Sequence, residues 1–184
     1  MRSMSSKLVP ARTGLILLAL SAGLLLACAC RSQPPPPPPD PRDVSLPEGV
    51  EPVPFDTRFL DLETADGRSF TLDLEIADTF ARRTRGLMHR TELGPDAGML
   101  FIFPEETAGP FWNRDTPLDL DIAFLGPDGR LIELLHLEAL STELVAPRLS
   151  YLYALEMTRG WFAARRVQMG DRLRVPPDLV ALPE

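Results

Sequence analysis

Lysine is all but missing from this chain. Lys7 is the only one in 184 residues, so nothing beyond the N-terminus offers an amine for a Schiff base or a phosphate-loop contact. Cysteine is equally scarce. Cys28 and Cys30 are the only two, and both precede the stretch patterned like a folded domain. No internal disulfide can staple that stretch, and no thiol nucleophile can act in it. His89 and His136 are the only histidines and lack ligand spacing such as His-Glu-x-x-His, so neither a metal site nor a cofactor is expected. Ser69, Ser141 and Ser150 stand in no Gly-x-Ser-x-Gly context. Long apolar runs are absent too: Leu15 to Ala27 falls short of the about 20 residues that membrane spanning takes.

What is present begins with an export signal. Arg2, Lys7 and Arg12 precede an apolar run from Gly14 to Ala27, the order of a basic n-region and a short h-region. Leu25-Leu26-Ala27-Cys28 resembles a bacterial lipobox, which implies cleavage before Cys28 and lipid attachment to its thiol. An ordinary signal with two incidental cysteines is the alternative. The expectation is an exported protein held in the bacterial cell envelope by an N-terminal lipid anchor. Ala29 gives no retention signal of the Asp type, which favours the outer membrane. Loss of residues 1–27 removes three basic residues and no acidic one, taking the formal charge from −7 to −10. An acidic remainder excludes nucleic acid as a partner, because that binding rests on clustered basic groups.

Residues 28–54 read as a linker. Pro34 to Pro39 are consecutive, and prolines recur at 41, 47, 52 and 54. Such a tract favours polyproline II and would hold a domain up to ~70 Å from its anchor if extended throughout.

One globular domain is expected over 55–184. Leu60, Leu62 and Thr64 alternate with Asp61, Glu63 and Ala65, and Phe70, Leu72, Leu74 and Ile76 alternate with Thr71, Asp73, Glu75 and Ala77. That is the period-2 pattern of half-buried strands, joined at Asp66-Gly67 as a two-residue hairpin turn. Asp78 or Thr79 caps a helix to about His89, with Phe80, Thr84, Leu87 and Met88 on its apolar face. Gly86 weakens that helix or marks close packing. Met99 to Phe103 reads as a buried strand ended by Pro104, and Phe111 to Asn113 as a short strand. Leu120 to Leu125 and Arg130 to Leu137 flank Pro127-Asp128-Gly129 as a second hairpin, apolar on both faces like covered central strands. Tyr151 to Met157 is another strand, Thr158 caps a short helix to Arg166, and Arg172 to Val175 is the last strand. About seven short strands and two short helices make a mainly β fold: a compact, antiparallel, barrel-like domain, α+β only at the margin.

Several segments are familiar in combination. Arg85-Gly86-Leu87-Met88-His89-Arg90, then Asp96 to Phe103, then Phe111-Trp112-Asn113-Arg114-Asp115-Thr116 with Leu120-Asp121-Ile122 resemble the bacterial and archaeal family called domain of unknown function 192. Leu155-Glu156 and Gly170-Asp171 fit its C-terminal part, so the resemblance spans about residues 58 to 176. It implies a compact, mostly β fold and an envelope setting, and it supplies no activity. Where the family commonly has Met-Lys-Asn-Thr, this chain has Asn113-Arg114-Asp115-Thr116. Arg114 exchanges a point charge for a planar fork, and Asp115 places a negative charge where an amide is usual.

Charged residues are rarely buried unless paired, so the crowd around Phe111 to Asp121 is either an ion-pair knot or a binding site. The candidate ligand-binding set is Arg85, Arg90, Trp112, Arg114, Asp115, Thr116 and Asp121. Trp112 either stacks on a ligand ring at the surface or fills the core with Phe101, Phe103 and Phe111. The acids Asp115, Asp119, Asp121 and Glu156 either serve general acid–base chemistry or pair with Arg85, Arg90 and Arg114. No residue is assigned a catalytic role. The leading expectation is a non-enzymatic ligand-binding or accessory module taking an envelope glycan, another small polar ligand or an envelope protein. A carboxylate-dependent hydrolase of an envelope glycan and a purely structural docking protein are the alternatives.

Overall fold

The chain is represented by a computed structural model that describes residue 42 and residues 45–183. The stretches expected to be an export signal and a Cys28 lipid anchor, and the Pro34–Pro39 tract, lie outside the described residues.

Strands β1 (Asp56–Glu63) and β2 (Ser69–Ala77) form the first hairpin, pairing Leu60 with Leu72 and Leu62 with Phe70. The turn differs from the two-residue form. Gly67 N–H donates to the Thr64 carbonyl at 2.9 Å, and only Gly67 has positive φ, at 85°. Ala65 and Asp66 are thus the central pair of a turn that Gly67 closes. After β2 comes α1 (Phe80–Arg85), capped by Thr79, whose Oγ1 accepts the Arg82 N–H at 3.2 Å. The helix stops at Gly86 and not at His89, since Gly86 holds φ 49°. Leu87 therefore reaches the core from beyond the helix, while Phe80, placed on the apolar face by its spacing, is 62% exposed.

β3 (Ala97–Thr107) runs parallel to β2 and continues through Pro104. The proline is tolerated because it falls within a register shift between Ile102 and Thr107, where the ladder to the next strand is interrupted. Strands β4 (Leu120–Leu125), β5 (Leu131–Leu137) and β6 (Tyr151–Thr158) follow. Phe111 makes a single bridge to Val145, so the short strand expected over 111–113 is reduced to one pairing. Thr158 belongs to β6, and Gly160 caps α2 (Trp161–Ala164) in its place. β7 is only Arg172–Leu173.

The sheet runs β5-β4-β6-β3-β2-β1-β7, antiparallel except for the β2–β3 pair. It curls into a half-barrel whose edges meet at one end. There Leu131 N–H donates to the Asp171 carbonyl (2.8 Å) and Leu173 N–H to the Gly129 carbonyl (2.9 Å). Leu62, Leu72, Leu74, Leu100, Leu155, Met157 and Phe162 fill the inside of the curl. Met99, Phe101, Ile122, Phe124, Tyr151 and Ala154 build a second core on the outer face. β3, β4 and β6 are therefore apolar on both sides. Gly98 lets β3 approach β6, because a Cβ there would stand 2.3 Å from the Glu156 carbonyl oxygen.

The described residues form one compact unit. Residues 45–54 lie against α1 and do not extend away from it: Arg82 Nε donates to the Pro54 carbonyl (2.8 Å) and Arg85 Nη2 to the Glu51 carbonyl (2.5 Å).

Candidate functional site

On the outer face the sheet is only partly covered. α1 with Gly86–Met88 stands on one side, and the chain from Phe103 to Thr116 on the other. Between them lies a cavity of about 460 Å³, with Phe101, Phe103, Phe111, Trp112 and Tyr151 among its walls. Apart from Trp112, these rings contact one another, mostly edge-on. Phe101 and Phe111 are 5.1 Å apart at 89°, and Phe103 and Tyr151 are 5.3 Å apart at 90°. Such contacts fix the wall geometry beyond what burial alone would do. Gly86 belongs to the same wall, since a Cβ there would come within 3.4 Å of the Phe101 ring.

The floor is Glu156, one member of a cross-strand row. Glu75 of β2, Met99 of β3, Glu156 of β6 and Ile122 of β4 are register neighbours on the outer face. Glu156 lines the cavity and is 4% exposed. Among the described residues nothing gives its carboxyl a hydrogen bond or an ion pair. Burial therefore pushes its pKa up to about 8, leaving the group neutral and able to donate near pH 7. Burial likewise lifts the Tyr151 phenol to about 12, and its hydroxyl donates to the Gly109 carbonyl at 2.7 Å.

The candidate residues divide. Arg85, Trp112, Arg114 and Thr116 share this cavity. Trp112 is 42% exposed and carries the Arg114 guanidinium over its ring at 4.4 Å, so it is a surface platform and not core. Thr116 is buried, its hydroxyl on the Arg114 carbonyl at 3.3 Å. Arg90, Asp115 and Asp121 do not line it. Arg90 is buried and its Nη2 stands 2.6 Å from Glu75 Oε2. Asp115 is half-exposed beside Arg114 Nε at 3.4 Å. Asp121 accepts the Gly160 N–H at 2.7 Å, holding the start of α2. Asn113 is a loop staple, its amide donating to the Leu118 (2.7 Å) and Glu138 (2.9 Å) carbonyls. His136 Nδ1 meets the Leu120 carbonyl at 2.8 Å, and His89 lies outside the cavity.

Glu156, named among the candidate acids, and the walls Phe101, Phe103, Phe111 and Tyr151 are absent from the candidate ligand-binding set. The available signal was a lone charge in Ala154-Leu155-Glu156-Met157, a strand otherwise apolar on both faces. The charged and acidic groups lining the cavity are thus the neutral buried Glu156 at the bottom, Glu105, and guanidinium groups from Arg83, Arg85 and Arg114 on its sides. Arg83 is fixed there by the Asp78 (2.9 Å) and Ile102 (3.1 Å) carbonyls and lies over Phe103. A half-apolar hollow with few convergent polar groups is what small-molecule sites look like.

Known proteins share this fold. A 1.55 Å crystal structure from Sinorhizobium meliloti 1021, carried under a provisional transcription-regulator name, is 33% identical with a TM-score of 0.65; the match covers 67% of this chain and 97% of that one. A protein of unknown function from Novosphingobium aromaticivorans DSM 12444 is 28% identical with a TM-score of 0.61, over 65% of this chain and 85% of its own. A UPF0127 protein of Pyrococcus furiosus is 28% identical over 118 residues, 61% of this chain and 94% of that protein. The model of the DUF192 family, described as an uncharacterized ACR, matches residues 62–175, and the chain belongs to that family.

Proposed function

We propose that this chain is a non-enzymatic small-ligand-binding module whose site is the outer-face cavity. One observation carries the reading: Glu156, a buried carboxyl without a partner among the described residues, opens into an aromatic-walled hollow. No side-chain oxygen is both fully buried and unpartnered among the described residues, so the Glu156 carboxyl faces the cavity, where an entering ligand can bond it. Trp112 and Arg114 at the exposed side supply a stacking surface. A thermal-shift screen of residues 31–184 against glycans, nucleotides and small organic ions tests it. A ligand that raises Tm in the parent protein and fails to do so in Trp112→Ala and Glu156→Gln supports the module. No response to any class contradicts it.

The same residues favour one other reading, a hydrolase. A carboxyl lifted to about 8 is suited to act as a general acid, and Glu105 is a second carboxyl lining the cavity. Glycan turnover lost in Glu156→Gln and in Glu105→Gln would promote it over the binder.

The setting rests on the N-terminal sequence. Leu25-Leu26-Ala27-Cys28 supports a lipid anchor in the bacterial envelope, with the outer membrane as the preferred site and an envelope glycan, small polar ligand or envelope protein as the partner. The acidic charge supports a role apart from nucleic acid, and the transcription-regulator name stays with the Sinorhizobium protein. Metabolic labelling with a palmitate analogue, lost in Cys28→Ser, tests the anchor.

A further inference from the structure

Glu75 and Glu156 are neighbours in one row, separated by Met99. They are 3% and 4% exposed. Their surroundings differ in one respect. Glu75 has the Arg90 guanidinium at 2.6 Å, and Glu156 has no cation from the described residues. Only Glu156 lines the aromatic cavity. The fold therefore settles one buried carboxyl with an internal cation and leaves its neighbour open to whatever enters. Two aromatic faces are already taken by internal cations, Arg83 over Phe103 at 5.4 Å and Arg114 over Trp112 at 4.4 Å, so what draws a positive head is Glu156 at the bottom and not the arginine-lined sides.

Resting on the binding-module reading, we infer that the cavity takes an organic cation, an ammonium, amidinium or guanidinium on an apolar or aromatic body. Its charged head stands to Glu156 as the Arg90 guanidinium stands to Glu75. Arg114 is half-exposed while Glu156 is buried, so the head enters first and the outer end of the ligand, beside Arg85 and Arg114, is neutral or anionic.

This assignment makes a pH signature. Met99 and Ile122 flank Glu156 on the neighbouring strands and do not titrate. Across the cavity the charged groups are Arg83, Arg85, Arg114 and Glu105, with the Tyr151 phenol beside them. Arg side chains keep their charge, and Tyr151 is neutral until about pH 12. Between pH 6 and 9, Glu156 is then the group whose charge changes. An amidinium is held by the ionised carboxylate and binds more tightly as pH rises. A neutral acceptor takes a hydrogen bond from the protonated acid and weakens over the same interval.

Isothermal titration of residues 31–184 with benzamidine, benzamide and benzoate from pH 6 to 9 tests the inference. Benzamidine is expected to bind at one site, at least tenfold tighter at pH 9 than at pH 6. Glu156→Gln, which keeps the side-chain volume and whose fold is checked by its melting curve, is expected to weaken it tenfold or more. Benzamide or benzoate binding as tightly as benzamidine, or benzamidine binding unaffected by Glu156→Gln, overturns the cation assignment while leaving a binding cavity. Binding of none of the three overturns the assignment and the binding-module reading together.

Discussion

The backbone N–H of His89 donates to the carbonyl of Asp115 at 2.7 Å, and both residues hold positive φ, 68° and 57°. This bond ties the chain leaving α1 to the aromatic loop, so it joins the two sides of the cavity. Left-handed backbone costs most L-residues roughly 1–2 kcal/mol, and Asp and Asn less. Asp115→Ala is therefore expected to lose about 1 kcal/mol in urea unfolding, whereas Asp115→Asn stays within about 0.5 kcal/mol of the parent. An alanine as stable as asparagine would show that the turn carries no such strain.

That turn also marks where sequence reasoning stops. The strands were legible because alternation reports burial directly, as in Leu72, Leu74 and Ile76 against Thr71 and Asp73. The pattern predicts α1 too long because Leu87 and Met88 continue the helical spacing after Gly86 has left helical geometry. The cavity was half legible. Trp112, Arg114 and Thr116 are close in sequence and in space, whereas Glu156 reaches the same spot only through the β3–β6 pairing. Arg90 parts from the set for a physical reason: its guanidinium is paired inside the protein with Glu75. Whether an arginine faces a guest or a buried partner is set by tertiary pairing, which spacing does not report.

Glu156 should make stability fall as pH rises. Its folded pKa of about 8 lies above the unfolded value, so the folded state binds more protons between the two. The favourable, neutral form is fully present below the unfolded pKa of about 4.3 and is lost as pH climbs through about 8. Glu156→Gln removes this titration. Its unfolding free energy in urea is expected to exceed that of the parent at pH 9 by up to several kcal/mol, a gap that closes toward pH 5. A gap independent of pH would place the charge elsewhere.

Arg90 is predicted to be structural. Arg90→Met removes the guanidinium 2.6 Å from a carboxylate that is itself buried, a change that costs about 3–5 kcal/mol. Adding Glu75→Leu should restore most of that loss, because no charge is then left buried. Urea unfolding of the single and double variants reads the difference. A double variant no more stable than Arg90→Met would contradict the pairing.

Gly98 is predicted to be irreplaceable at the β3–β6 contact. An added Cβ would meet the Glu156 backbone oxygen at 2.3 Å and Met157 Sδ at 2.4 Å. Overpacking of this kind typically costs about 1–3 kcal/mol. Gly98→Ala should therefore lower Tm and also weaken ligand binding, since moving β6 moves Glu156. Gly67→Ala, at an open hairpin turn with positive φ, should lower Tm without touching binding.

The most direct measurement is the crystal structure of residues 31–184 soaked with benzamidine at saturating concentration. The cation assignment places the ring between Phe111 and Trp112 on one side and α1 on the other, with an amidinium nitrogen about 2.7–2.9 Å from a Glu156 carboxylate oxygen. An empty cavity, or benzamidine held only at sites away from Glu156, would contradict it.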